Sequence, residues 1–301
     1  MFAVIVHTDS AGTEWFLLDK RVDGRTPGGW RLPAAATGHG HGALAELTRR
    51  WRAEGPLELT GVYRYAAPGS PERVLTADAP CRFVPASEGD DVDVRWVARA
   101  ELATLAARAD LHGGLADRLG DVLALHDAAD CCRRVPAAYR RLGGDYLRDA
   151  AWVRDQLRRR PLWQNIPVSA LVALRGYTTG RYHADLNDSL RTGDPARLER
   201  YRVIVAAMRG ALDALPAHDG PVRRVAALTD DDWDAVPARY RPGAVVREPV
   251  FLSAQRDGEA GTTFVGNLVL EIDARTGRDI DSLSVHDERE VLFAPGTAFV
   301  V

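Results

Sequence analysis

A change of hydrophobic period at Pro216 constrains the fold of this 301-residue chain more than any other feature. Upstream, after Pro195, the residues Leu198, Tyr201, Val205, Met208, Leu212 and Leu215 recur at three- and four-residue spacing, which places them on one face of a helix. Pro216 cannot continue that helix. Beyond residue 220 the apolar residues fall into short β-like runs at 222–226, 244–254, 267–272, 291–293 and 298–301, separated by Gly, Pro and Asp. Helices followed by a run of strands predict an α+β architecture.

The first half differs. Short β-like runs at 2–7, 15–19, 57–65, 81–84 and 92–97 alternate with turns and with helical stretches at 43–54 and 100–107, a mixed α/β pattern. Between 126 and 145 the periodicity is interrupted by His126, Asp127, Asp130, Cys131, Cys132, Pro136, Gly143 and Gly144. The expected organisation is therefore a domain at 1–127, a linker at 128–145 and a second domain at 146–301. Composition agrees, since 27% charged and 46% hydrophobic residues describe an ordinary globular chain. A net charge of -3 supplies no pull toward polyanions, so no nucleic-acid partner is expected. No apolar run approaches the ~20 residues of a bilayer span, so no membrane partner is expected either. The three cysteines form no C-x-x-C pair for zinc or dithiol chemistry.

One polar cluster carries chemistry. Glu288, Arg289 and Glu290 run directly into Val291-Leu292-Phe293-Ala294-Pro295-Gly296-Thr297. If a buried strand begins at Val291, period-two alternation puts Glu288 and Glu290 on the same side of its entrance. Two adjacent carboxylates are costly unless a cation visits them; a solvated strand edge is the plainer use of the same residues.

Three further segments give the cluster a context: Pro221-Val222-Arg223-Arg224-Val225, Val250-Phe251-Leu252-Ser253-Ala254-Gln255, and Tyr177-Thr178 followed by Asn187, Leu190 and Arg191. In this order, residues 145–301 resemble the arginine-specific ADP-ribosyltransferases, a family that includes the actin-modifying binary toxins and the vertebrate ecto-enzymes. The resemblance implies helices followed by two packed mixed or antiparallel sheets, with Arg, Ser-Thr-Ser and Glu-x-Glu on three strands. It implies mono-ADP-ribosyl transfer from NAD to an arginine of a target protein, with release of nicotinamide and without a metal.

The chemistry gives each matched residue a reason. Breaking the bond between nicotinamide and ribose develops an oxocarbenium-like cation. Glu290 would stabilise that charge, and Glu288 would orient or deprotonate the incoming guanidinium, whose protonated form has no nucleophilic lone pair. Ser253 would hold the rotamer of Glu290. Arg223 would grip the pyrophosphate, with Arg224 as the competing candidate. Tyr177, Asn187, Phe251, Ser253 and Gln255 complete the expected NAD-binding set. The Ser-Thr-Ser of the family is Ser253-Ala254-Gln255 here. NAD hydrolysis and non-catalytic binding of NAD or ADP-ribose are the alternatives.

At the other end, Gly28-Gly29-Trp30-Arg31-Leu32-Pro33, the helix at 43–54 and the segment 94–102 resemble a Nudix domain over residues 1–125. Ala34 and Ala35 replace the glycines of that motif, and the acids that hold magnesium in such domains are missing: Thr48, Arg49, Arg50, Arg52 and Ala53 stand in their place, with Glu46 and Glu54 out of register. A hydrolytically inactive Nudix-like α/β sandwich is expected. His39 and His41, in Gly38-His39-Gly40-His41-Gly42, have the spacing of a metal-binding pair or of a plain glycine-rich loop. Residues 2–7 show no basic leader or cleavage site, so synthesis in the cytoplasm is expected, with export as a toxin or effector left open.

Overall fold

The computed structural model describes residues 1–21, 29–36, 39–67, 70–84, 92–256, 266–285 and 289–301. They form two compact units, residues 1–134 with 157–169 and residues 135–156 with 170–301.

The first unit is built on five strands, β1 (Phe2–Thr8), β2 (Glu14–Arg21), β3 (Glu58–Ala67), β4 (Ser70–Asp78) and β5 (Val92–Ala98). Their order in the sheet is β3-β4-β1-β2-β5, with β1 and β4 parallel and the other pairs antiparallel. Helices α1 (Gly40–Arg50), α2 (Arg99–Ala107), α3 (Gly113–Ala116) and α4 (Leu119–Ala128) accompany it. The continuous apolar run of β1 follows from its central place. Ala3 and Ile5 pack with Leu17, Leu44, Leu47 and Trp51, whereas Val4 and Val6 pack with Phe16, Leu18, Val97 and Leu102. Residues 81–84, expected as a strand, are irregular: Phe83 is buried and accepts a bond from Trp96 Nε1, while Val84 is exposed. The helix expected at 43–54 ends at Arg50, because Arg52 turns left-handed at φ 49°. Strand β4 escaped the sequence pattern.

Three helices cross the division between the units: α5 (Asp130–Arg141), α6 (Tyr146–Arg159) and α7 (Val168–Thr178). Residues 128–145, expected as a linker, thus contain helix α5, with Pro136 inside it. Its buried residues Cys132, Val135, Ala138 and Tyr139 recur at helical spacing, and their burial outweighs the proline.

The second unit continues with α8 (His183–Thr192) and α9 (Pro195–Ala214). Asp194 caps α9 by accepting from Ala196 N and Arg197 N, and Pro195 occupies its first turn. Then come β6 (Gly220–Ala226), α10 (Asp230–Arg239), β7 (Val245–Arg247), β8 (Leu252–Arg256), β9 (Leu268–Ala274), β10 (Arg278–Asp279), β11 (Glu290–Phe293) and β12 (Ala298–Val300). Five of the strands make an antiparallel sheet in the order β10-β11-β8-β6-β9, and β12 pairs antiparallel with β7. Val222, Leu252, Ala254, Ala274, Val291 and Phe293 form the core against which Phe299 packs, its ring 5.1 Å from that of Phe293. The fold is α+β with packed antiparallel sheets. Helix α10 interrupts what the sequence offered as strands alone, and the run at 244–254 splits at Pro249 into strands of two different sheets.

Candidate active site

Strands β11, β8 and β6 lie side by side and bring three sequence motifs together. In register, Glu290 faces Gln255, Leu292 faces Ser253, and Arg223 faces Gln255 from the other side. Glu290 is the first residue of β11 and is 5% exposed. Ser253 Oγ donates to Glu290 Oε1 at 2.5 Å, which fixes the carboxylate rotamer. The strand therefore begins one residue earlier than expected. Arg289, immediately before it, has φ 48°, a left-handed conformation that costs a residue with a side chain about 1–2 kcal/mol. Glu288, expected on the same side as Glu290, lies outside the described residues.

Helices α7 and α8 close the upstream side of β8. Asn187 Oδ1 accepts from Phe251 N at 3.2 Å, and its Nδ2 donates to Phe251 O at 3.1 Å and to the Tyr177 hydroxyl at 2.9 Å. The Tyr177 hydroxyl in turn donates to Phe251 O at 3.3 Å. Both backbone polar groups of Phe251, a residue 1% exposed, are thereby satisfied by one side chain. Burial pushes the Tyr177 phenol up to about 12; the Asn187 bond opposes this, Glu290 adds to it, and Arg224 and Ser253 oppose it again. Tyr177 is thus a neutral hydroxyl, its phenol within the electrostatic reach of Glu290. Phe251 presents its backbone, its ring being packed 5.5 Å from that of Tyr177.

The two arginines part company. The ladder between β6 and β8 pairs Val222 and Arg223. Arg224 follows, and its Nη1 donates to Ser253 O at 2.7 Å, so its guanidinium lies against the residue that holds Glu290. Arg223 Nη2 instead pairs with Glu271 Oε1 at 3.2 Å, on a side chain 47% exposed. Gln255, between Arg223 and Glu290 in the sheet, has a buried Nε2 without a hydrogen-bond partner.

In the first unit the two histidines of the glycine-rich segment have different settings. His39 precedes α1 as its cap residue, His41 Nε2 bonds to Ile166 O at 2.9 Å, and Gly38 lies outside the described residues. Glu14, His126 and Asp127 bring donor atoms within 4.8 Å of one another. Arg99 already bridges the two acids, with Nη1 at 2.7 Å from both Glu14 Oε2 and Asp127 Oδ1. The group is an ion network with a guanidinium as its cation. Among the described residues, no helix is long and apolar enough to cross a membrane.

No family model matches the chain. Two curated relatives do. A Mycobacterium avium (strain 104) protein, Mav, named for NAD(+)–arginine ADP-ribosyltransferase activity, is 38% identical over 134 residues, 44% of this chain and 15% of that protein. The NAD(+)–protein-arginine ADP-ribosyltransferase Tre1 of Pseudomonas putida (strain GB-1) is 35% identical over 130 residues, 43% of this chain and 25% of its own length. The match thus spans a quarter or less of either relative. Among solved structures, the type III effector XopAI from Xanthomonas axonopodis pv. citri is similar over 57% of this chain and 79% of its own, with 23% identity and a TM-score of 0.49.

Proposed function

We propose that this chain is an NAD-dependent mono-ADP-ribosyltransferase that modifies an arginine of a target protein. The observation that carries this reading is the Ser253–Glu290 hydrogen bond on neighbouring strands, with the Arg224 guanidinium on the carbonyl of the same serine. The identity to two relatives named for this activity supports it.

In this reading the glycosidic bond of NAD breaks and its electron pair leaves with nicotinamide, so positive charge develops on the ribose. Glu290, buried and held in one rotamer, stabilises that charge without reorganising, an effect for which loss of a single group costs ~10²-fold to 10³-fold. Arg224 grips the pyrophosphate, because its fork of donors lies beside Ser253, whereas Arg223 is engaged by Glu271. The unpartnered amide nitrogen of Gln255 offers NAD a donor in the position of the family's third serine. Tyr177, Asn187 and Phe251 hold the strand that carries Ser253. A guanidinium nitrogen of the target then bonds to the anomeric carbon and gives up its proton, the role assigned to Glu288. The first unit is read as a Nudix-like module without the carboxylates for magnesium, and so as hydrolytically inactive.

Incubation with labelled NAD and a cell lysate tests the reading. Wild type should label protein on arginine, identified by mass spectrometry, and Glu290→Ala should not. Equal labelling by both would refute it.

A further inference from the structure

The cysteines lack the C-x-x-C spacing, yet the fold brings two of them into contact. All three are thiols, and the Sγ atoms of Cys131 and Cys132 lie 3.9 Å apart. Neighbouring residues of a helix point about 100° away from each other, so sulfur contact requires particular rotamers of both. Cys132 is buried and Cys131 is partly exposed. Both stand in the first turn of α5, which only Ala129 separates from α4.

The backbone under this pair is weakly tied. The first N–H groups of a helix have no partner four residues back within it; here Cys132 N reaches Ala129 O at 3.0 Å. Four residues beyond Cys132 stands Pro136, which has no N–H to offer the Cys132 carbonyl and whose ring crowds that oxygen. The turn that carries both thiols can therefore change its dihedrals at the cost of few hydrogen bonds.

Cys131 is the reactive member. A helix N-terminus favours a thiolate. The Cys132 thiol holds the Cys131 thiol below its ordinary range; burial opposes this, the Cys132 backbone N–H adds to it, Asp130 opposes it and Arg133 adds to it. Cys132 is pushed the other way, by its bond to Cys131 and by burial.

We infer that Cys131 and Cys132 form a modification site for hydroperoxides, independent of the transfer reaction: the pair oxidises to a disulfide between adjacent residues, and a thiol reductant reopens it. The Cys131 thiolate attacks a peroxide oxygen, the O–O bond breaks, and hydroxide or alkoxide leaves behind a sulfenic acid. The Cys132 sulfur then attacks the Cys131 sulfur, the S–O bond breaks, and hydroxide departs with the Cys132 proton as water. Two electrons pass from the sulfurs to the peroxide. Adjacent Cα atoms are about 3.8 Å apart, below the ~4.4–6.8 Å usual for a disulfide, so the bridge is strained. Strained bridges are readily reduced, which makes this one a reversible mark.

The test treats the full chain with hydrogen peroxide and then dithiothreitol, read by intact mass and peptide mapping. Wild type should lose two hydrogens within the peptide that holds both residues and regain them on reduction. Cys81→Ser should behave as wild type, since Cys81 Sγ donates elsewhere, to Glu54 O at 3.6 Å. Cys131→Ser should lose the bridge, and Cys132→Ser should stop at a sulfenic acid that dimedone traps on Cys131. Pro136→Ala should slow closure about threefold to tenfold, because one restored helix hydrogen bond then resists the change of the first turn. If Cys132→Ser fails to fold, Cys131→Ser and Pro136→Ala carry the test. A mass unchanged by peroxide, a bridge to Cys81, oxygen added to wild type without a bridge, or closure as fast in Pro136→Ala as in wild type would overturn the inference.

Discussion

Arg224 and Glu290 meet on opposite ends of one residue: the guanidinium holds the carbonyl of Ser253 at 2.7 Å, and the carboxylate receives its hydroxyl at 2.5 Å. Ser253→Ala removes the tie on the carboxylate and keeps the strand. It should lower kcat by about 10–100-fold, the usual cost of losing a partner that orients a reactive group, with KM for NAD little changed. Measurement of nicotinamide release over a range of NAD concentrations separates the two parameters. A fall confined to KM would assign Ser253 to binding instead.

The neighbouring arginines should behave unequally. Arg224→Lys loses the planar fork beside Ser253 and should raise KM for NAD at least about tenfold. Arg223→Lys, which alters a partner of exposed Glu271, should change it by less than about threefold, as expected of a surface pair. The reverse order in steady-state kinetics would move the phosphate grip to Arg223.

Asn187 is a structural clamp. Asn187→Ala leaves the buried N–H of Phe251 without its partner and its C=O with the Tyr177 hydroxyl alone, which should cost about 1–3 kcal/mol of stability. Urea unfolding followed by circular dichroism reads this directly, and an unchanged midpoint would show that Phe251 is satisfied otherwise.

Asp78, on β4, gives the first unit a pH signature. Burial pushes its carboxyl up from 3.8 to about 6; Arg133 opposes this, and Glu58, Glu14 and Asp130 reinforce it. The folded state therefore holds this proton more tightly than the unfolded state. The stability it contributes is present at acid pH and is lost as pH rises through about 6. Asp78→Asn, neutral throughout, should raise the melting temperature at pH 7 and flatten its dependence between about pH 4 and 6. A steeper profile in the variant would contradict this assignment.

The parts of the fold legible in the sequence are those with a strong period or a stop signal. Helix α9 was readable from its apolar stripe between Pro195 and Pro216, and β6, β11 and β12 from apolar runs bounded by Gly and Pro. Helix α10 was not, because most of its residues are exposed and it has no apolar stripe to betray it. The candidate site was visible as residue types on separate segments. Its internal order was not: nothing in Arg223-Arg224 says which side chain turns to Ser253, since that depends on where the β6–β8 ladder stops.

Arg289 divides two kinds of constraint. From Glu290 onward the chain is committed to a pleated ladder with neighbours on both sides, and the left-handed corner at Arg289 marks where that ladder starts. Because Ser253 holds the Glu290 carboxylate right beside this corner, a side chain that resists φ > 0 at position 289 would be felt at once by that hydrogen bond, so glycine or asparagine is tolerated there better than a β-branched residue.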